Sequence, residues 1–277
     1  MAISFISKTV AVTMLLLLPL SIFAAPATNP ANPTTKPLTG LYAPQKKEIA
    51  MKLVAAAENS SLDWKAQYAY IEYNVEGNAA ENRGYTAGII GFTSRTHDML
   101  ELVQYYQKIN PENALVQYLP ILKKVDGTSS KKGLGKPFMD AWKTAAKDPK
   151  FCEAQDHERD RVYFNPAVDQ AQADQLGELG QFIYYDAIVM HGDGNDGFTG
   201  IRKAAMKVAK TPKDGGDETA YLNAFLDARR AAMKAEQGHQ DTARVDKAQR
   251  KFLQAGNLHL ELPLMFEVNG EKFRIEK

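Results

Sequence analysis

The chain has 277 residues, 44% of them apolar and 24% charged, with a formal charge of +1. That balance supports a hydrophobic core but leaves no electrostatic footprint for nucleic acid. Cys152 is the only cysteine, which excludes an intramolecular disulfide and a cysteine-clustered zinc site.

The opening run MAISFISKTVAVTMLLLLPLSIFAA carries one lysine, an apolar core and small residues at Ala24 and Ala25. It reads as a secretory signal peptide over residues 1–24, too short and weakly flanked for a membrane anchor. Residues 25–41 are rich in Pro, Thr and Asn, cannot bury a core, and read as a flexible leader. The folded part is expected over residues 42–277 as a single domain, with no further segment approaching a membrane span. The protein is therefore expected outside the cell.

Helical period dominates the rest of the chain. In KKEIAMKLVAAAEN, Ile49, Leu53 and Ala57 stand four apart, with Ala50, Val54 and Glu58 on the adjacent row, which predicts an amphipathic helix ending at Glu58. SSLDWKAQYAYIEY opens on a capping signal at Ser60 or Ser61. HDMLELVQYYQKI and ALVQYLPILKKV are further amphipathic runs. DPKFCEAQDHERDRVYF starts with Asp148 as cap and Pro149 at the first helical position. AVDQAQADQLGELGQFIYYDAIVMHG is the longest helical candidate, and its apolar end predicts a buried, central helix. DETAYLNAFLDARRAAMKAEQGH and DTARVDKAQRKFLQAGN follow the same pattern, the second ending on the Gly256-Asn257 stop signal. YTAGIIGF is a short strand interrupted by Gly88 and Gly91. MFEVNGEKFRI is a hairpin turning at Asn269-Gly270. The fold class is mainly α (α+β).

Several carboxylates stand out. Glu58 sits beside the buried stripe at a helix C-terminus, where the macrodipole has the wrong sign for it. Partial burial adds to that, and both effects disfavour its charged form, as a general acid requires. A solvated helix-end glutamate fits the same residues. Between Glu58 and Glu101 lie seven acids against Lys65, Arg83 and Arg95. This is either a solvated face or a cleft that attracts a cationic substrate. Glu81 precedes Arg83-Gly84-Tyr85-Thr86 at the entry to a strand, where a carboxylate and a hydroxyl can hold a water. Paired carboxylates of this kind are the working parts of glycoside hydrolysis. Asp186 falls on the row of Leu179, Ile183 and Met190, so it is expected buried and in need of partners. Arg229 and Arg244 are the candidates, as a scaffold ion network. HGDGNDG lacks the acid an EF-hand requires and reads as a turn.

Taken together, KKEIAMKLVAAAENSSLDWKAQYAYIE, RGYTAGIIGF, DMLELVQYY, ERDRVYFNPAV, YYDAIVMHG, GIRKAAM, GGDETAYLNAFLDARRAAM and AQRKFLQAGNL resemble the chitosanases of glycoside hydrolase family 46, in order, from about residue 45 to 260. The resemblance implies a lysozyme-like fold, two largely helical lobes with a small sheet around a substrate cleft. It also implies a monomer that needs no metal or other cofactor and hydrolyses chitosan. It makes Glu58 the general acid and Thr86 the residue that positions water. It places Arg83, Tyr70, Glu72, Asp98, His191 and Glu236 around the sugar subsites, and Asp186, Arg229 and Arg244 in a supporting network.

Two positions depart from the family pattern. The general base, usually an aspartate in Asp-Gly-Arg-Gly-Tyr-Thr, is replaced by Glu81 in Glu81-Asn82-Arg83-Gly84-Tyr85-Thr86, and Glu76 is its rival. Gln240 stands where an acid is expected on the subsite rim. The other readings are a muramidase, disfavoured because an acidic cleft repels polyanionic cell walls, and a non-hydrolytic amino-sugar-binding protein.

Overall fold

The computed structural model describes residues 39–74, 83–235 and 241–276. The expected signal peptide lies outside the described residues, as does the leader up to residue 38. The folded chain takes in Gly40 and Leu41, slightly earlier than the expected start at Tyr42. Leu41 is buried, and its N–H donates to Gln181 Oε1 at 2.8 Å.

Helix α1 spans Pro44–Asn59. Pro44 fits the first turn because no intrahelical partner is lost there. Ile49, Ala50, Leu53 and Val54 are buried, as their spacing predicts. The helix stops at Ser60, which turns left-handed at φ 49° and returns its N–H to Ala56 O at 3.2 Å.

The next segment departs from its helical expectation. SSLDWKAQYAYIEY forms only a 3₁₀ turn over Trp64–Ala69, capped by Asp63, which accepts from Ala66 N. It then becomes strand β1, Ile71–Tyr73. YTAGIIGF divides into β2, Tyr85–Ala87, and β3, Phe92–Thr93. The turn between them is left-handed at Gly88, where a Cβ would sit 2.4 Å from Gln155 Oε1. The three strands form one antiparallel sheet in the order β1-β2-β3, with Glu72 opposite Thr86 and Thr86 opposite Thr93.

Against this sheet pack α2 (Asp98–Ile109) and α4 (Gly135–Ala145), while α3 (Leu119–Val125) and α5 (Pro149–Arg159) pack on α2. No element is expected where α4 forms, because its Gly-Lys-Pro start hides its periodicity. Its buried Trp142 and Phe138 are nevertheless central. Phe138 meets Tyr85 and Tyr118 edge-on, and Trp142 meets Phe151 edge-on at 4.9 Å. Edge-to-face pairs satisfy the ring quadrupoles while burying large apolar surfaces. Asp148 caps α5 by accepting from Lys150 N at 3.0 Å.

The second helical lobe begins after a π turn at Asp160–Phe164. The expected long helix is two: α6, Asn165–Ala173, and α7, Glu178–His191. Gln175 turns left-handed between them at φ 62°. Every residue of α7 from Leu179 to Ile188 is buried, as its all-round apolar sequence demands. Helices α8 (Phe198–Met206) and α9 (Glu218–Ala235) pack together and are followed by a π turn at Arg244–Gln249 and α10 (Arg250–Gln254). The chain then forms the hairpin β4 (Leu264–Val268) and β5 (Glu271–Ile275), turning at Asn269-Gly270 as expected. Among the described residues no helix is long and apolar enough to cross a membrane.

Trp142 donates Nε1–H to Tyr68 O at 3.1 Å, and Gln155 Nε2 reaches the same carbonyl at 3.0 Å. Trp142→Ala is therefore expected to cost about 3–5 kcal/mol through cavity formation. Trp142→Phe should cost markedly less, because Gln155 still satisfies the carbonyl. Urea unfolding of both variants measures the difference.

Candidate active site

Glu58 is the penultimate residue of α1 and is exposed. Its side chain is partly covered, as expected, but by an arginine that the sequence did not place beside it. Arg244 Nη2 lies 2.7 Å from its Oε1, with about a third of the Glu58 side chain open to solvent. The helix end thus supplies a field of the same sign as the carboxylate, and Arg244 supplies one of the opposite sign.

Arg244 is itself anchored. The same Nη2 donates to Asp186 Oδ1 at 2.7 Å. Asp186 is 1% exposed, and its Oδ2 accepts from Arg229 Nη1 and Gln249 Nε2, each at 2.6 Å. Arg229 is completely buried; its Nη2 donates to Asp186 O at 3.2 Å and its Nε to His191 Nε2 at 3.4 Å. A relay therefore runs Arg229–Asp186–Arg244–Glu58, across α9, α7, the second π turn and α1. Burial pushes the Asp186 carboxyl up, but Arg244 and Arg229 with their hydrogen bonds outweigh it and hold it well below the usual carboxylate range. Burial also lowers the Arg229 guanidinium, with Asp186 opposing. For Arg244 the carboxylates win over burial and raise it.

Gln249 is a member that sequence reasoning missed. It lies five residues after Arg244, and in an α-helix such residues point about 140° apart. In the π turn, Arg250 N–H donates to Val245 O, five residues back. That wider winding brings positions 244 and 249 to one side, where both reach Asp186. The signal was present only as a polar residue at an unhelpful α-helical spacing.

A second group is carried by the sheet. Thr86 and Glu72 are paired across β2 and β1, so their side chains share a face. Glu72 is exposed, and Tyr70 Oη donates to its Oε2 at 3.2 Å. The Thr86 hydroxyl oxygen is buried and has no hydrogen-bond partner among the described residues. Such a group is costly unless something fills the valence. Gly84 holds the turn before β2 at φ +77°, where a Cβ would lie 2.3 Å from Ser94 Oγ. That oxygen instead accepts from Tyr85 N and donates to Arg83 O. Glu76, Glu81, Glu236 and Gln240 lie outside the described residues.

Asp98, expected around the sugar subsites, is only 5% exposed. Its Oδ1 accepts from Thr93 N, Thr96 Oγ1 and Met99 N, and its Oδ2 from Tyr163 Oη at 2.7 Å. Burial raises its pKa against the pull of those bonds. It ties the start of α2 to β3 and to the first π turn. Arg83 lies within electrostatic reach of the same Tyr163.

Among the described residues, no three His, Cys, Asp or Glu side chains gather as a metal site. A groove of about 650 Å³ runs between the second π turn, α10 and the C-terminal hairpin, lined by Lys247, Lys251, Phe266 and Phe273. It holds none of the expected site residues.

Comparison with known proteins places this arrangement. A chitosanase of Streptomyces sp. (strain N174) is 61% identical over 251 residues, covering 90% of this chain and 88% of the relative. A chitosanase of Bacillus subtilis (strain 168) is 35% identical over 246 residues, covering 83% and 84%. A chitosanase solved as a co-crystal with substrate superposes with a TM-score of 0.81 at 53% identity, covering 86% of this chain and 99% of that one. The family 46 chitosanase of Gynuella sunshinyii, in complex with chitotetraose, gives 0.76 at 31% identity, covering 85% and 99%. The fold is thus the α+β, lysozyme-like architecture of a glycoside hydrolase. The profile of glycosyl hydrolase family 46 matches residues 52–264, and the chain belongs to that family.

The relay has a measurable signature. Asp186 titrates below its unfolded value, so its contribution to stability is complete above about pH 4 and is lost as pH falls through its native titration. Asp186→Asn leaves Arg229 buried without a charge partner and is expected to cost about 3–5 kcal/mol at pH 7. Its stability should then vary less than wild type's between pH 4 and the strongly acid range. Denaturant unfolding at a series of pH values checks both.

Proposed function

We propose that this protein is a secreted, monomeric endo-chitosanase that hydrolyses β-1,4 linkages between glucosamine units with inversion at the anomeric carbon. The observation that carries the reading is Glu58 at the exposed end of α1, joined through Arg244 to buried Asp186. The relatives named as chitosanases, one solved with substrate and one with chitotetraose, support it.

Glu58 is the general acid. Arg244 binds Oε1, so Oε2 is the oxygen placed to carry the proton. As the glycosidic bond breaks, that proton passes to the leaving oxygen and the electron pair of the C–O bond leaves with it. Glu81 is the general base, with Glu76 as its alternative. It takes a proton from water while the water oxygen bonds to the anomeric carbon from the opposite face. The buried, unpartnered hydroxyl of Thr86 suits the role of orienting that water. Attack by water rather than by a carboxylate gives the inverted anomer. Glu72, with Tyr70 bonded to it, is positioned to meet an ammonium group of the substrate. Export follows from the signal peptide, with cleavage after Ala24.

The decisive experiment measures reducing-end release from highly deacetylated chitosan, with NMR of the first anomer formed. Glu58→Gln and Glu81→Gln are expected to lose about 10²–10⁴-fold in rate, Glu76→Gln to stay active, and Thr86→Val to fall at least tenfold. Loss in Glu76→Gln with retention in Glu81→Gln would move the base, and a retained anomer would sink the inverting mechanism. Wild-type KM is expected to rise with added salt, since screening weakens carboxylate–ammonium attraction; a flat salt profile counts against electrostatic binding.

A further inference from the structure

The C-terminal hairpin starts at Leu264, the last residue of the stretch matched by the family profile, and its turn touches α1 beside Glu58. Asn269 Nδ2 is 3.0 Å from Ala57 O, 3.2 Å from Ser60 Oγ and 3.5 Å from Ala56 O. A helix C-terminus leaves its last carbonyls without intrahelical partners. Ser60 N–H takes Ala56 O, and Asn269 supplies the donor for Ala57 O, on the residue directly before Glu58. The amide also brings partial positive charge to the negative end of the helix dipole.

The hairpin is fixed at its other side too. Glu267 of β4 is ion-paired with Lys247, and Phe266 meets Phe252 edge-on at 6.0 Å. Lys247 stands in the π turn that carries Arg244. One hairpin therefore braces both the helix end bearing Glu58 and the turn bearing its arginine partner. Backbone demand explains Asn269 only in part: it adopts φ 53° in the turn, a conformation Gly would also accept.

We propose that Asn269 is a positioning residue for Glu58, clamping the last turn of α1 so that the carboxyl leaves the helix in register with Arg244. This rests on the reading of Glu58 as the general acid. Asn269→Gly preserves the left-handed turn and removes only the donor. Asn269→Asp keeps the shape but replaces the donor with a negative charge.

The test is steady-state kinetics of the mature chain on chitosan across pH, well below each variant's unfolding midpoint, with Glu58→Gln in parallel. Asn269→Gly is expected to lower kcat about tenfold, short of the roughly 10²–10⁴-fold of a whole acid, while KM stays unchanged. Asn269→Asp is expected to lower kcat further and displace the alkaline limb of the kcat profile upward, because a like charge favours a protonated acid. An inactive Glu58→Gln beside two Asn269 variants with wild-type kcat and pH profile overturns the clamp and leaves the acid assignment standing. A kcat loss that merely tracks the folded fraction, with an unmoved pH profile, makes Asn269 a structural turn residue. An active Glu58→Gln removes the acid assignment and the clamp together.

Discussion

Everything at the candidate site hangs on one buried carboxylate. Asp186 lies on a helix with no solvent-facing side over most of its length, so its charge must be neutralised from within the protein. Two arginines and one glutamine converge on it, Arg229 from α9 and Arg244 and Gln249 from the second π turn. Such a cluster is a poor source of stability, since desolvating four polar groups offsets most of the attraction. What it supplies is geometry. A single guanidinium nitrogen, Arg244 Nη2, contacts both Asp186 and Glu58, so the exposed carboxylate is tied to a buried helix.

The two lobes meet this requirement with different chemistry. The sheet-bearing lobe is organised by aromatic packing, from Tyr85 through Phe138 and Trp142 to Phe151. It presents Thr86 and Glu72 on strands too short to be stable alone. Asp98 is tied into this framework: its four bonds close the corner between β3, α2 and Tyr163. The second lobe combines aromatic contacts among Tyr184, Phe198 and Phe225 with a polar knot in which Asp174 binds Arg202 and Tyr184. Non-directional apolar burial fixes the position of the helices; directional charge-assisted bonds fix the side chains that project from them.

Local patterns are legible where the chain obeys a single period. α1, α2, α5, the buried end of α7 and the C-terminal hairpin are all readable from apolar spacing, caps and the Asn-Gly turn. Legibility is lost where tertiary contacts override local preference. Ile71–Tyr73 ends a run with helical spacing, yet it forms β1 because β2 is available to pair with it. The apparent long helix breaks at Gln175, where Asp174 is drawn into the bidentate Arg202 pair. The row containing Asp186 points to the carboxylate–arginine network, but not to its reach as far as Glu58.

The sequence by itself determined the helical class, the burial of Asp186 on its helix, and the family to which the motifs point, because side-chain period and residue type are local properties of the chain. Only the tertiary structure decided which groups each acid meets. It gave Glu58 an arginine 186 positions away, buried Asp98 in backbone bonds, and used a π turn to bring Arg244 and Gln249 onto one face. The reason is physical: a carboxylate's role is set by the charges and donors within a few ångströms of it, and those come from distant segments that no local pattern can bring together.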